Sequence, residues 1–313
     1  MPNVPVDDIL IHPRDNDLIV GTHGRGIGVL DNIASLEALT PDAMRAEAFL
    51  VPPAHARLLS IYNPQAWYGA GQYFAPNPDF GAAIEYYLRD GSKDEVRVTV
   101  SDARGNPIRG LKGGGRAGFN RVSWDLRLEP PLPDGPRDLS AAGGFGATSQ
   151  GPLVLPGVYA VTVASPDLAG RQLKGELRVD GDPRVNFPEA DRRTRQTALL
   201  NLYELQKSLA AARAAVVSAT SQIDAKRTNG RSAGADAGSR LSLLQADINT
   251  EINSINGLSR AIEGYSGLPT TDQRRQLDWA FEDASKTVEA LNRVLQSDVD
   301  IPSRTMTVPP KRQ

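Results

Sequence analysis

The sequence predicts a mostly β protein with an added α-helical part, and two kinds of periodicity support this fold class. Before about residue 190, short apolar runs alternate with polar residues, as in VRVTV at 96–100, and this is the period of a half-buried strand. Between about 186 and 300, apolar residues recur every three or four positions, which is the period of amphipathic helices. The 29 glycines and 23 prolines concentrate in the first part, as turn-rich β structure requires.

Composition excludes several classes of function. The 313 residues suffice for about two domains, and a formal net charge of -2 favours neither nucleic acid nor an anionic membrane as a partner. The absence of cysteine removes disulfides, thiolate catalysis and cysteine-containing zinc sites. No apolar stretch approaches the roughly 20 residues that span a bilayer, and MPNVPVDDIL has no signal-peptide pattern. We therefore expect no membrane span and no nucleic-acid partner.

The first region, residues 1–50, predicts a three-stranded meander. Apolar runs near 6–11, at Leu18–Thr22 and at Ile27–Leu30 are strand-like, and Asp15 to Asp17 supplies turn chemistry between the first two. A helical or loose segment, SLEALTPDAMRAEAF, follows. Three short strands cannot bury a core by themselves. They need a neighbouring layer, inside this chain or outside it.

The alternating glycines Gly24, Gly26 and Gly28 raise the question of a phosphate-binding loop. A dinucleotide loop opens a helix and a P-loop ends in Lys followed by Ser or Thr, whereas here an apolar strand follows the glycines. The pattern favours a tight turn between two strands. His23 and Arg25 then lie at the tip of the turn, where they are candidates for the rim of a ligand site or a plain solvated tip.

The second region, residues 51–185, predicts a β-sandwich, because short alternating strands follow one another with no helical period between them. We expect Trp124 to face its core and Tyr159 to pin a corner of it. The expected strands are Ile84–Leu88, Val96–Val100, Asn120–Leu128, a strand within LPGVYAVTVAS, and Leu173–Val179.

A loop rich in aromatic residues precedes the sandwich strands. Trp67, Tyr68 and Tyr73 could form a sugar-stacking surface, although aromatic anchors that tie the loop to the sandwich are the favoured interpretation. The three histidines, His12, His23 and His55, lie on different segments without the spacing of a metal site. Adjacent carboxylates such as Asp7 and Asp8 point to opposite strand faces, and G-x-S-x-G does not occur. We therefore assign no catalytic residue, no metal and no cofactor.

The third region, residues 186–300, predicts a three-helix antiparallel hairpin or bundle. Flexible segments near 228–239 and 264–269 separate the helices, Thr270 and Gln273 have capping-box spacing, and 301–313 should be a disordered tail. The three apolar stripes run through Leu202, Leu205, Leu209, Ala212 and Val216; Leu241, Leu244, Ile248, Ile252 and Ile255; and Leu277, Phe281, Ala284, Val288, Leu291 and Leu295.

The stretch DDILIHPRDNDLIVGTHGRGIGVLDN resembles the closing stretch of the β-propellers in bacterial BNR-repeat, sortilin-like proteins, which are often labelled glycosyl hydrolases. The match runs from Val6 to Leu36, with Gly28 where an aromatic residue is usual. FGAAIEYYL, VRVTVSDARGNPIR, GFNRVSWDLR and GPLVLPGVYAVTV look like the sandwich that follows such propellers. That sandwich is similar to the immunoglobulin-like domain of flagellar hook-capping proteins.

The resemblance implies last-blade strands at 1–50, an immunoglobulin-like sandwich at 51–185 and a helical bundle at 186–300. Propellers have several four-stranded blades, but about one is present here and the S-x-D-x-G-x-T-W repeat is absent. The resemblance therefore implies that this chain is the C-terminal part of a longer, exported protein, which would be extracellular or periplasmic. It implies a non-catalytic module whose partners are the upstream propeller blades and carbohydrate or protein. The alternatives are a fragment of a glycoside hydrolase whose catalytic residues lie on missing blades, and a stand-alone adaptor.

Overall fold

The computed structural model describes residues 3–59, 71, 80–131, 150–168, 170–228, 235–297 and 305–312. The chain divides into two units, one formed by Met1–Leu126 with Pro156–Asp182 and the other by Arg127–Leu155 with Pro183–Gln313. Every strand among the described residues lies in the first unit, and the three long helices lie in the second. The predicted combination of β structure with a helical C-terminal part is confirmed.

The first unit begins with an antiparallel meander of β1 (Val6–Ile11), β2 (Leu18–Thr22) and β3 (Gly26–Leu30). Gly24 and Gly26 have φ angles of 76° and 77°, in the left-handed region that glycine tolerates best. The glycine-rich stretch is therefore the hairpin turn between β2 and β3, as the sequence predicts. Two short helices follow, α1 (Ala34–Glu37) and α2 (Pro41–Arg45).

Eight further strands form two sheets. Their order is β5-β11-β10-β7-β8 in the five-stranded sheet and β4-β6-β9 in the three-stranded one, and all pairings are antiparallel except β5 with β11. The strands are β4 (Ala48–Leu50), β5 (Ala56–Leu58), β6 (Ala82–Leu88), β7 (Val96–Ser101), β8 (Pro107–Gly113), β9 (Gly118–Trp124), β10 (Gly157–Ala164) and β11 (Gln172–Gly181).

The core of these two sheets follows from the alternation of the strand sequences. Every second residue of β6 and β7 is buried, because successive side chains on a strand point to opposite faces. Trp124 of β9 is fully buried and packs edge-on against Tyr159 of β10 in the other sheet, with ring centroids 5.5 Å apart. Trp124 thus faces the core as predicted, and burial raises the pKa of Tyr159 to about 12.

Four details of the sandwich differ from the sequence prediction. Strands β4 and β5 were not predicted, and β4 pairs with β6 although residues 48–50 were assigned to the first region. The strand expected at Asn120–Leu128 ends at Trp124, because Leu126 has a φ angle of 58° and breaks the extended backbone. Strand β8, which pairs with β7, was not predicted at all, since it contains two glycines and is mostly exposed or half-buried.

The second unit is built on α3 (Glu189–Thr228), α4 (Ala235–Glu263) and α5 (Thr271–Ser297). Their apolar stripes meet in one buried core. In that core, the Gln206 side-chain amide donates to Asn256 Oδ1 at 2.7 Å. The predicted capping box is confirmed, because Gln273 N donates to Thr270 Oγ1 at 3.1 Å and Thr270 N to Gln273 Oε1 at 2.9 Å.

Two segments outside the long helices belong to the helical unit. Residues 127–155, which the sequence analysis assigned to the sandwich region, belong to the helical unit instead. Among its described residues, Arg127 pairs with Glu263 at 2.8 Å, and Tyr203 donates to the Glu129 carbonyl at 2.9 Å. Residues 305–312 are not the expected disordered tail. Asn201 and Asn292 each form two hydrogen bonds with backbone atoms of this segment.

We expect Gly81→Ala to destabilise the sandwich by at least about 2 kcal/mol, since positive φ and overpacking each cost about 1–2 kcal/mol. Gly81 has a φ angle of 122°, and an added Cβ would lie 1.9 Å from the Trp124 carbonyl oxygen. Gly105→Ala is the matched control, because its φ angle is 82° with nothing within 4 Å of the added atom. Urea unfolding followed by near-ultraviolet circular dichroism measures both, and equal losses would contradict the steric argument.

Candidate interaction surface

The β1–β3 sheet has apolar side chains on both of its faces. Ile9 lies opposite Val20, and Leu10 lies opposite Ile19, so neighbouring positions of β1 supply the two faces. On the other side of β2, Ile19 lies opposite Val29. Neither face of this sheet is therefore the polar, solvent-facing side that many antiparallel sheets have.

Most of these apolar side chains are exposed. All six residues of β1 are exposed, with Ile9 at 62%, and in β3 Ile27 reaches 75% and Val29 57%. Val20 in the central strand is only 3% exposed, so the centre of the sheet is covered while its flanks are open. Exposed apolar side chains on neighbouring positions of one sheet make this sheet a candidate interaction surface.

The two edges of this sheet differ in their protection. Strand β1 carries Asp7 and Asp8 and has a bulge between Val6 and Asp8, and both features discourage pairing with another strand. Strand β3 reads GIGVL and carries no charge. The β3 edge is therefore the edge that accepts a further strand more readily.

The turn between β2 and β3 brings together the two predicted rim residues. His23 and Arg25 flank Gly24 at the tip, and both are exposed. His23 Nδ1 lies 3.4 Å from Asp7 Oδ2, and its backbone N–H donates to the Pro5 carbonyl at 3.0 Å. The tip thus carries two basic side chains beside one carboxylate, and all three residues are exposed.

The two other histidines considered from the sequence each lie beside a carboxylate. His12 and His55 lie 3.5 Å from Asp15 and Asp180 respectively. Within the described ranges, no group of three or more His, Cys, Asp or Glu side chains could hold a metal ion. The aromatic candidates for sugar stacking, Trp67, Tyr68 and Tyr73, lie outside the described residues.

A polar cavity of about 390 Å³ in the first unit was missed by the sequence analysis. Arg14 Nε donates to both Asp15 oxygens at 2.8 and 2.9 Å, and this hydrogen bonding lowers the pKa of Asp15. Arg57 also lies 3.8 Å from this carboxylate, so Asp15 is the counter-ion of both Arg14 and Arg57. The cavity is lined by Arg14, Asp15, Asn16, Asn32, Ala34, Pro52, Ala54, His55 and Arg57.

No protein-family model matches the chain, and no curated protein matches it. Among solved structures, the chain is similar to CopC from Methylosinus trichosporium OB3b, with 15% sequence identity, a TM-score of 0.21, and coverage of 44% of this chain and 99% of that chain. A superposition this poor carries no argument about fold or function. In the described part of the chain, no helix has the length and apolar character needed to cross a bilayer.

We expect the double substitution Ile27→Lys and Val29→Lys to remove much of the exposed apolar surface without unfolding the protein. The two side chains lie on one face of β3 and are largely exposed, so the free energy of unfolding should change by less than about 1 kcal/mol. Binding of the neutral dye Nile red should fall by about half or more. Val20→Lys, at a buried position of β2, is the contrasting variant and should unfold the sheet. Unchanged dye binding would contradict the assignment of the surface.

Proposed function

We propose that this chain is a non-catalytic accessory module of an exported, sialidase-like propeller protein of the BNR-repeat, sortilin-like kind, and that β1–β3 are strands of its last blade. The observation that carries the proposal is the sheet with apolar side chains on both faces, most of which are exposed on the outer strands β1 and β3. The resemblance of residues 6–36 to the closing stretch of such propellers supports it.

A propeller supplies the covering that this sheet needs. Blades are arranged radially around a central channel, so each blade has a neighbouring blade against each of its faces. Apolar side chains on both faces, such as Ile9 with Val20 on one and Leu10 with Val29 on the other, suit this position. A sheet that covers a single core needs only one apolar face.

The edges of the sheet support the same partner. A propeller blade has four strands, and the meander has three. The uncharged β3 edge suits the fourth strand, whereas Asp7, Asp8 and the bulge protect the β1 edge. We infer that the partner contributes a strand beside β3 and packs a blade against each face of the sheet.

The remaining parts of the chain complete their own cores, as an accessory module requires. The two sandwich sheets bury Trp124 and Tyr86 completely, and the helices bury their stripes against one another. At the exposed turn, His23 and Arg25 stand beside one carboxylate, Asp7, whereas glycosidases use two carboxylates across the scissile bond. A glycoside hydrolase function would therefore need residues from the blades of the partner.

Hydrogen exchange of the purified chain tests whether the sheet lacks its covering. We expect backbone amides at 8–30 to exchange at least about a hundredfold faster than those of β7 and β10, because a sheet without packed layers opens at low cost in free energy. Amides in α4 serve as a second internal reference. Protection at 8–30 equal to that of β7 would contradict the proposal and favour a stand-alone adaptor.

The coding sequence upstream of the Met1 codon tests the identity of the partner. We expect in-frame repeats of the S-x-D-x-G-x-T-W kind, and co-expression of the segment they encode should slow exchange at 8–30 by about tenfold or more. Ile27→Lys with Val29→Lys should abolish that protection, while Leu243→Lys, an exposed position on α4, should retain it. An upstream segment with paired carboxylates and clustered arginines would favour the glycoside hydrolase, and the absence of coding repeats would contradict both functions.

A further inference from the structure

A polar pair, Glu251 of α4 and Thr287 of α5, lies where these two helices of the helical unit pack together. Glu251 lies one helical turn after Ile248 and one turn before Ile255, and both isoleucines are buried. Thr287 is buried as well. Its hydroxyl donates a hydrogen bond to Glu251 Oε1, so a carboxyl group lies at the edge of the apolar stripe of α4 and contacts the neighbouring helix.

The second oxygen of this carboxyl group has no partner. Glu251 Oε2 has almost no accessible surface, and among the described residues nothing donates a hydrogen bond to it. An ionised carboxylate at this position loses the hydration of Oε2 and gains no donor in return, which is costly in free energy. The protonated carboxyl group has no charge to be solvated, so the same burial costs it less. The packing of α4 against α5 therefore favours the neutral form of Glu251.

The charges near Glu251 favour the neutral form too. Asp247, one turn earlier on α4, and Asp283 on α5 are the charged groups that act on it, and both are carboxylates. Among the described residues, α3 adds no charged group that acts on it. Lys286 pairs with Asp283 at 3.3 Å. Burial raises the pKa of Glu251, the two carboxylates raise it further, and only the hydrogen bond from Thr287 lowers it.

The direction of this shift determines how stability depends on pH. With a raised pKa, the folded helical unit binds the proton of Glu251 more tightly than the unfolded chain does. The resulting stabilisation is fully present below the ordinary pKa of 4.5 and is lost as the pH rises through the pKa of the folded state. Asp15 and Asp167, whose pKa values are lowered by hydrogen bonds, have the opposite effect, but they belong to the first unit.

We propose that Glu251 makes the contact between α4 and α5 sensitive to pH, so that this contact is most stable while the carboxyl group is protonated and weakens when the proton is lost. The position of the group carries the inference, because one carboxylate oxygen is enclosed without a donor while two other carboxylates lie nearby. The inference uses only the helical unit and does not depend on the proposed function, which concerns the β1–β3 sheet.

Thermal unfolding of the whole chain at about pH 4.5 and about pH 8 tests the proposal. Far-ultraviolet circular dichroism is the signal, because the three long helices all belong to the helical unit. Glu251→Gln has the shape of the protonated carboxyl group and keeps an acceptor for Thr287. We expect the melting temperature of this variant, relative to wild type, to rise by about 2 °C or more between the lower and the higher pH. The same difference from wild type at both pH values would overturn the proposal.

A second variant should show the opposite pH dependence. Thr287→Val removes the hydrogen bond to Glu251 Oε1, which favours the ionised form. We therefore expect it to lower the melting temperature more at about pH 8 than at about pH 4.5, by about 2 °C or more. A loss of equal size at both pH values would contradict the role of this hydrogen bond.

Glu282→Gln is the matched control, because it makes the same change of charge at an exposed position of α5. Its difference from wild type should be the same at both pH values. A pH-dependent difference as large as that of Glu251→Gln would attribute the effect to the net charge of the helices and contradict the assignment to the buried carboxyl group.

Discussion

An apolar sheet face has to be covered, and the architecture of this chain depends on that constraint. In the sandwich each sheet covers the other, and the contact between Trp124 and Tyr159 joins the two layers. In the helical unit, the three stripes cover one another in one core. In the β1–β3 sheet Val20 is covered, but the apolar side chains of the outer strands β1 and β3 stay exposed. It is therefore the part of the described chain in which apolar side chains on a sheet are left without a covering layer.

The sequence predicted those elements in which the spacing of apolar residues matches the residues that are buried. Strand β7 and the stripe of α5 are examples, because the same residues that show the period are those that lie in the core. The hairpin turn was predicted for a related reason. Gly24 and Gly26 have positive φ angles in the turn itself, which favour glycine. The turn can therefore be predicted from the few residues that form it.

The elements that were missed depend on contacts with distant residues. Strand β8 has a weak apolar pattern and is a strand because β7 pairs with it. The segment 305–312 contains two prolines and few apolar residues, and it is held by side chains of Asn201 and Asn292, which belong to helices far away in the sequence. No local signal could have predicted either pairing.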